Sequence, residues 1–327
     1  MKKSFLLSSL TLLVLSVFSQ GPYAPPAGQP GTTAIHKDFI RFVFWATGCT
    51  ITRGFQDISN AGLGNTTVGT NASVIGKSGI NGVVSLGDGG SAILTFNAPI
   101  INGAGADFAV FENSFSDDFL ELAFVEVSSD GINFFRFDAI SLTDTSVQTG
   151  SFGSTDATNL YNLAGKYRAQ YGTPFDLDEL AGTVGLDINN ITHIKIIDVI
   201  GNINPLYATY DSQNRIVNDP WPTAFGSSGF DLDAVGIINS SATAINELNS
   251  NTLLNLYPNP VKDVLNIELD KKEEYKYSIF NFNGKKVIEG RFNNANYQID
   301  LNNLKSGIYF LRLSSNKTII TKKVIKQ

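Results

Sequence analysis

The chain is short of the side chains on which most enzyme chemistry rests. Its 327 residues include one cysteine, Cys49, and two histidines, His36 and His193. A single cysteine forms no internal disulfide, so stability has to come from burial or from bound ions. Zinc ligation wants more His or Cys at a motif spacing. His193 lies in Ile191-Thr-His-Ile-Lys-Ile, where alternation sets it outward beside Lys195. Cys49 follows Trp45-Ala-Thr-Gly with no histidine at a linked spacing and is expected as a small buried side chain. No G-x-S-x-G elbow or phosphate-binding loop occurs. Charge is sparse too, at 17%, and acids outnumber bases for a net −6, which argues against nucleic acid and anionic membranes as partners. No run of the mature chain is long and apolar enough for a membrane helix. Catalysis is therefore not the expected activity, although a carboxylate pair for glycoside hydrolysis stays open, because such pairs are defined by separation in space.

What is present divides the chain into five stretches. Met1-Lys2-Lys3 and the apolar run Phe5 to Phe18 form a signal peptide over 1–19, with Val17 and Ser19 at the −3 and −1 positions and Gln20 as the first mature residue. No cysteine follows the run, so no lipoprotein anchor is expected. Residues 20–35 are a Pro/Gly-rich extended arm. Residues 36–240 are the body, long enough for one sizeable core. Residues 241–252, rich in Ser, Asn and Ala, are a linker, and 253–327 are a separate C-terminal module. Charge separates the parts: 253–327 carries +6 and the remainder −12.

The body is expected to be all-β, a sandwich of the jelly-roll kind. Period-two apolar runs at Val83–Leu86, Ala92–Phe96, Phe108–Phe111, Ala123–Val127, Phe134–Phe137, Ile191–Val199 and Asp231–Ile238 are separated by turn residues. Asp130-Gly131, after Ala123-Phe-Val-Glu-Val-Ser-Ser, reads as a tight hairpin turn. Similar VEVSxDG hairpins occur in galactose-binding-like jelly rolls, including discoidin-type and carbohydrate-binding modules. FVFWATG at 42–48, VSLGDGGSAILTF at 84–96, DFAVFEN at 107–113 and SGFDLDAVGIIN at 228–239 resemble a family of exported bacterial surface proteins that often carry sorting tails. That resemblance implies an exported jelly roll and supplies no substrate.

The C-terminal module reads as a small immunoglobulin-like β-sandwich, with Asn283-Gly284 as a two-residue hairpin turn between alternating runs. YPNP at 257–260, NGK at 283–285, Leu304 through Gly307-Ile308-Tyr309 to Leu311, and Lys322-Lys323-Val324 resemble the C-terminal sorting domain of the type IX secretion system of Bacteroidetes. The resemblance implies that residues 253–327 engage that machinery after export through the periplasm. The protein is then secreted or held on the outer cell surface.

Two sets of body residues suggest binding. Carboxylates and amides gather at strand ends, and Glu112, Asn113, Asp231 and Asp233 are candidate ligands for a structural Ca²⁺, a hard ion that takes irregular oxygen shells. Strict alternation puts Asp231 and Asp233 on the same face as Val235 and Ile237, where each needs a cation or an arginine such as Arg136 or Arg215. Trp221, Tyr207 and Tyr210 stand in loop text between 202 and 222 with Asp211, a grouping suited to stacking on sugar rings and accepting hydroxyl hydrogen bonds. The sequence thus points to a non-catalytic extracellular binding protein with glycan as the leading ligand. The alternatives are a glycoside-active enzyme using two acids and a structural or adhesive surface component.

Overall fold

A computed structural model describes residues 21–241, 254–270, 272–315 and 319–327. The signal peptide and most of the linker lie outside the described residues. The chain divides into two compact units, one ending at Asn239 and the other beginning at Ser240.

The first unit is a sandwich of two antiparallel sheets. One contains, in spatial order, β3 (Gly48–Thr52), β5 (Ser91–Ile100), β12 (Ile191–Asp198), β7 (Ala123–Ser128) and β8 (Phe135–Arg136). The other runs β1 (Ile35–His36), β11 (Tyr171–Phe175), β6 (Phe108–Glu112), β13 (Asp231–Ile237) and β2 (Phe44–Trp45), with β4 (Val84–Ser85) also paired to β13. A small side ladder joins β9 (Ile140–Ser141) to β10 (Leu160–Tyr161). Each of the seven runs read from the sequence contains a strand.

The core lies between the sheets. Ala92, Leu94, Val125, Val127, Ile194 and Ile196 from one sheet meet Phe108, Val110, Phe175, Leu232, Val235 and Ile237 from the other. Phe108 stacks on Phe175 at 5.3 Å between ring centroids. The outer faces are covered as well, by loops and short edge strands. Phe42, Trp45 and Ile35 pack on Ala109, Phe111 and Ala234, while Phe124 joins Leu120, Leu122, Leu160, Leu163 and Val217. Strands covered on both sides are buried at every position, as β6 is.

The local structure differs from the sequence reading at several points. The ladder of β6 and β13 slips between Leu232 and Ala234, and Leu232 shares the core with Val235 and Ile237. Asp231 and Asp233 therefore do not occupy that face, because the bulge breaks strict alternation. Asp130-Gly131 belongs to a longer loop in which Gly131 alone takes a positive φ of 75° and the Asp130 carboxylate accepts the N–H groups of Ile132 and Asn133. The arm is docked: Tyr23 N–H donates to the Thr158 carbonyl at 3.0 Å, and Ile35 starts an edge strand.

The second unit is a smaller sandwich. A three-stranded sheet of β14 (Leu254–Tyr257), β15 (Val264–Leu269) and β18 (Asn296–Asp300) faces a four-stranded one of β17 (Lys286–Phe292), β16 (Tyr275–Asn281), β19 (Gly307–Ser314) and β20 (Ile319–Lys326). Val261, Leu265, Ile267, Ile279, Leu311 and Val324 form its centre. Asn283-Gly284 closes a longer turn than expected, with Gly284 alone at a positive φ of 74°. The Asn281 side chain accepts from the N–H groups of Asn283 and Lys285. Asn259 of the YPNP segment ties the last strand down, donating to the Lys323 carbonyl at 2.8 Å and accepting from Ile325 N–H at 2.9 Å.

Candidate functional site

Buried carboxyl groups collect where the ends of β6, β12 and β13 meet the loops around residues 88, 121 and 219. Asp88, Glu112, Glu121, Asp198 and Asp219 are all buried, and Asp231 is half-buried beside them. Backbone N–H groups hold several. Asp198 accepts from Gly89 at 3.0 Å and Phe230 at 2.8 Å, Asp219 from Leu122 at 2.9 Å, and Glu112 from Ser114 at 2.6 Å. Asp88 accepts from Ile58 N–H at 2.8 Å and from the Trp221 indole at 3.1 Å, and Asp231 from the Ser85 hydroxyl. Two glycines permit the approach. A Cβ on Gly201, at φ +75°, would stand 1.8 Å from Asp219 Oδ1, and one on Gly229, at φ +67°, would stand 2.5 Å from Asp198 Oδ1.

Burial pushes these acids up. It holds Asp88 and Asp231 at about 6 and raises Glu112, Glu121, Asp198 and Asp219 well above the ordinary carboxylate range. Like charge adds to the effect, since Asp231 raises Glu112 and Glu112 raises Glu121. The arginines expected to neutralise body acids are occupied elsewhere: Arg136 pairs with Glu126 at 2.8 Å and Arg215 with Asp211 at 2.7 Å.

Loops from the same part of the unit carry a strip of phenylalanines, three of them exposed and Phe119 half-buried. Phe115 and Phe119 lie 4.6 Å apart with planes 15° from parallel, Phe119 and Phe152 lie 6.1 Å apart, and Phe152 and Phe225 lie 6.3 Å apart. Phe115 is 74% exposed, Phe152 72% and Phe225 51%. The loops beneath are cross-braced. Thr155 N–H donates to the Asp118 carbonyl at 2.6 Å and the Ser154 hydroxyl to Asp118 Oδ2 at 2.9 Å. The Ser151 hydroxyl donates to the Pro222 carbonyl at 2.5 Å, and Trp221 N–H to the Thr149 carbonyl at 3.0 Å. Arg168 anchors Asp117 on the same loop as Phe115. The rings therefore stand on a fixed base, an arrangement suited to stacking against a flat ligand face.

The residues singled out from the sequence fall in different places. Trp221 is half-buried and joins both features, through Asp88 and through the loop that carries Phe225. Tyr210 is 42% exposed and Tyr207 half-buried, and no ring contact among the described residues links either to the strip. Asp211 is buried and fully engaged. Its oxygens accept the N–H groups of Ser141, Gln213 and Arg215 and the Arg215 guanidinium. Glu112 has both Asp231 and Asp233 as acidic neighbours, but Asn113 is exposed and Asp233 is already held by the Ser78 hydroxyl at 2.6 Å and Gly79 N–H at 3.0 Å. The phenylalanine strip and Glu121 were missed. The signal for the former is visible in retrospect: Ser151-Phe152-Gly153 and Ala224-Phe225-Gly226 set a lone aromatic among small loop residues, and Phe115 and Phe119 flank Ser-Asp-Asp.

Comparison with known proteins bears mainly on the second unit. Residues 255–327 match the family described as the secretion system C-terminal sorting domain. No curated protein matches the chain. Among solved structures, PorZ, a surface component of the type-IX secretion system of Porphyromonas gingivalis, aligns at 14% identity over 29% of this chain and 14% of its own, with a TM-score of 0.21. A beta-glucuronidase from Parabacteroides merdae aligns at 10% identity over 86% of this chain and 35% of its own, at 0.24. One from Ruminococcus gnavus aligns at 9% identity over 86% of this chain and 43% of its own, at 0.22. The chain spans under half the length of each, and overlaps this low carry no argument about the body. The sorting-domain match does carry one: the C-terminal unit is a type IX sorting domain, and the chain that bears it is exported to the cell surface or secreted.

Proposed function

We propose that this exported chain is a non-catalytic binding protein whose ligand is a glycan, held against the strip Phe115–Phe119–Phe152–Phe225. The observation that carries the reading is the exposure of those rings on braced loops. Phe115, Phe152 and Phe225 are each more than half exposed, Phe152 touches Phe225, and half-buried Phe119 links Phe115 to Phe152, which makes a patch of the sort that marks an interaction surface. Sugar rings offer the matching apolar faces, and exposed Asp118 and Asn113 on the same loop offer acceptors and donors for hydroxyl groups. The acids with raised pKa values do not favour glycoside chemistry here, because Glu112 and Glu121 are 2% and 7% exposed and a glycosidic oxygen must come within hydrogen-bond reach of its acid.

The test is a polysaccharide and glycan panel probed with the purified exported protein. Selective binding that weakens tenfold or more in Phe152→Ala and Phe225→Ala is expected. A clean negative on folded protein overturns the glycan reading in favour of a structural or adhesive surface component. Turnover of a panel member, abolished by a single Asp or Glu substitution, overturns the non-catalytic one.

A further inference from the structure

We propose that the body binds a divalent cation, calcium, through the carboxyl group of Glu121 and at least one of the acids around it. Glu121 is 7% exposed, and among the described residues its carboxyl group accepts no hydrogen bond and forms no ion pair. Each of its acidic neighbours has a donor: Ser114 N–H for Glu112, the Ser85 hydroxyl for Asp231, Leu122 N–H for Asp219, and the Gly89 and Phe230 N–H groups for Asp198. The charged groups that Glu121 faces are these four acids, contributed by β6, β13, the loop before Trp221 and the end of β12.

Its main chain cannot carry it outward. Leu120 and Leu122 on either side are fully buried, and Gly165 passes so close that a Cβ there would stand 1.9 Å from the Glu121 carbonyl oxygen. No lysine or arginine is among the charges that Glu121 faces, and several of the body's cations are committed elsewhere. Arg136 and Lys195 pair with Glu126, Arg168 with Asp117, and buried Lys166 donates to the Leu160 carbonyl at 2.7 Å. A buried carboxylate without a partner is costly, and like-charged neighbours add to the cost. A cation removes both.

The donor set selects the ion. All the groups are oxygen donors, which suits a hard cation, and Ca²⁺ accepts about six to eight oxygens in irregular geometry. No three acidic or imidazole groups among the described residues converge on one point. The proposed shell is therefore Glu121 with Asp231, the half-buried one of its acidic neighbours, completed by main-chain carbonyls and water. This site is independent of the glycan reading.

The experiment uses the full exported protein, stripped with EDTA and titrated with CaCl2 by calorimetry and thermal melting. One saturable site is expected, with a rise in Tm of about 5–10 °C at a hundredfold excess over Kd. Glu121→Gln should melt as a folded protein and lose that rise. Asp107→Asn should lower Tm with and without calcium but keep the rise, since Asp107 is engaged by the Gly103 and Leu177 N–H groups and the Asn239 amide. Should Glu121→Gln fail to fold, Asp231→Asn takes its place. No binding by the parent protein at millimolar calcium, or a full rise in the folded Glu121 variant, overturns the proposal. Calcium binding in a protein that binds no glycan leaves this proposal standing and sinks the other.

Discussion

The two units are both antiparallel sandwiches, yet they are built on opposite plans. The sorting domain hides one face of each strand and shows the other, as the alternation of buried and exposed positions along β16 and β19 records. The body covers both faces of its central strands, one with the opposing sheet and the other with short edge strands and loops, so that β6 and nearly all of β13 are buried throughout. It also buries eight acids, whereas no acid is buried among the described residues of the sorting domain. The small basic unit is a plain packed solid with the acids of its described residues outside the core. The larger acidic one stores charge in its interior, which in a purely structural sandwich would only lower stability.

The comparison is broken most sharply at the two cores. Phe108 is fully buried and touches both Phe175 and Phe137, at 5.3 and 5.9 Å. Phe108→Ala should cost about 3–5 kcal/mol and Leu311→Ala, at the centre of the other unit, about 2–5 kcal/mol. Calorimetry should show the first lowering only the body's transition and the second only the sorting domain's. Movement of both transitions by either variant would mean that the units are not thermodynamically separate.

The buried acids predict the next largest effect, and its sign is the unusual one. Burial holds Asp88 at about 6 when folded, against about 3.9 when unfolded. Between those values the native state binds more protons than the unfolded chain, so stability is fully present below about pH 4 and falls as pH rises towards 6. Asp88 alone contributes about 3 kcal/mol of that fall, at about 1.4 kcal/mol per pKa unit. Denaturation of the chelated protein at pH 4, 5, 6 and 7 should show the body weakening with pH. The sorting domain's transition should be nearly flat, and calcium should restore the body at pH 7. A body equally stable at pH 4 and 7 in chelator would show that its acids are compensated within the fold.

How much of this was legible follows from the same contrast. Where one face is wet, hydrophobic alternation states the strand and its orientation together, and YPNP, NGK and the final basic strand were readable as a module. In the body, strand existence was legible from apolar runs such as Phe108–Phe111, but orientation at Asp231 was not, because the slip at Leu232 shifts the pattern by one. Tyr171–Phe175 does not read as a strand in the sequence, because Pro174 argues against one. It is tolerated where the two-residue β1, paired only to Tyr171 and Gly172, has already ended. The acids were visible as acids. Their grouping was not, because Asp88, Glu112, Glu121, Asp198, Asp219 and Asp231 come from six separate segments, and only the fold brings them together. Trp221 was legible as a loop aromatic, while nothing in the apolar runs drew attention to the four phenylalanines, although the glycines beside two of them argued for loops.

Within the sorting domain, Asn259 gives a smaller and local prediction. Its side chain makes two hydrogen bonds to β20, at 2.8 and 2.9 Å, in an exposed setting. Asn259→Ala should lower that unit's stability by about 1–2 kcal/mol and leave the body's transition in place. Hydrogen exchange at Ile325 N–H should accelerate before exchange in β16 does. Uniform acceleration across the unit would show that YPNP acts through the whole fold and not through its last strand.

The smallest effect on stability is expected where the largest effect on binding is proposed. Phe152 is 72% exposed, and its ring contacts are to other rings of the strip. Removing it takes little apolar surface out of the interior, so Phe152→Ala should change the body's stability by less than about 0.5 kcal/mol, as surface substitutions do. Phe108→Ala removes the same side chain from the core and should cost about 3–5 kcal/mol. The pair separates two uses of one residue type. If Phe152→Ala destabilises the body by more than about 1 kcal/mol, the strip is a structural brace for its loops, and its exposure is no sign of a ligand. If it leaves stability untouched and weakens capture of a glycan, the braced loops hold rings in water for the sake of what stacks upon them.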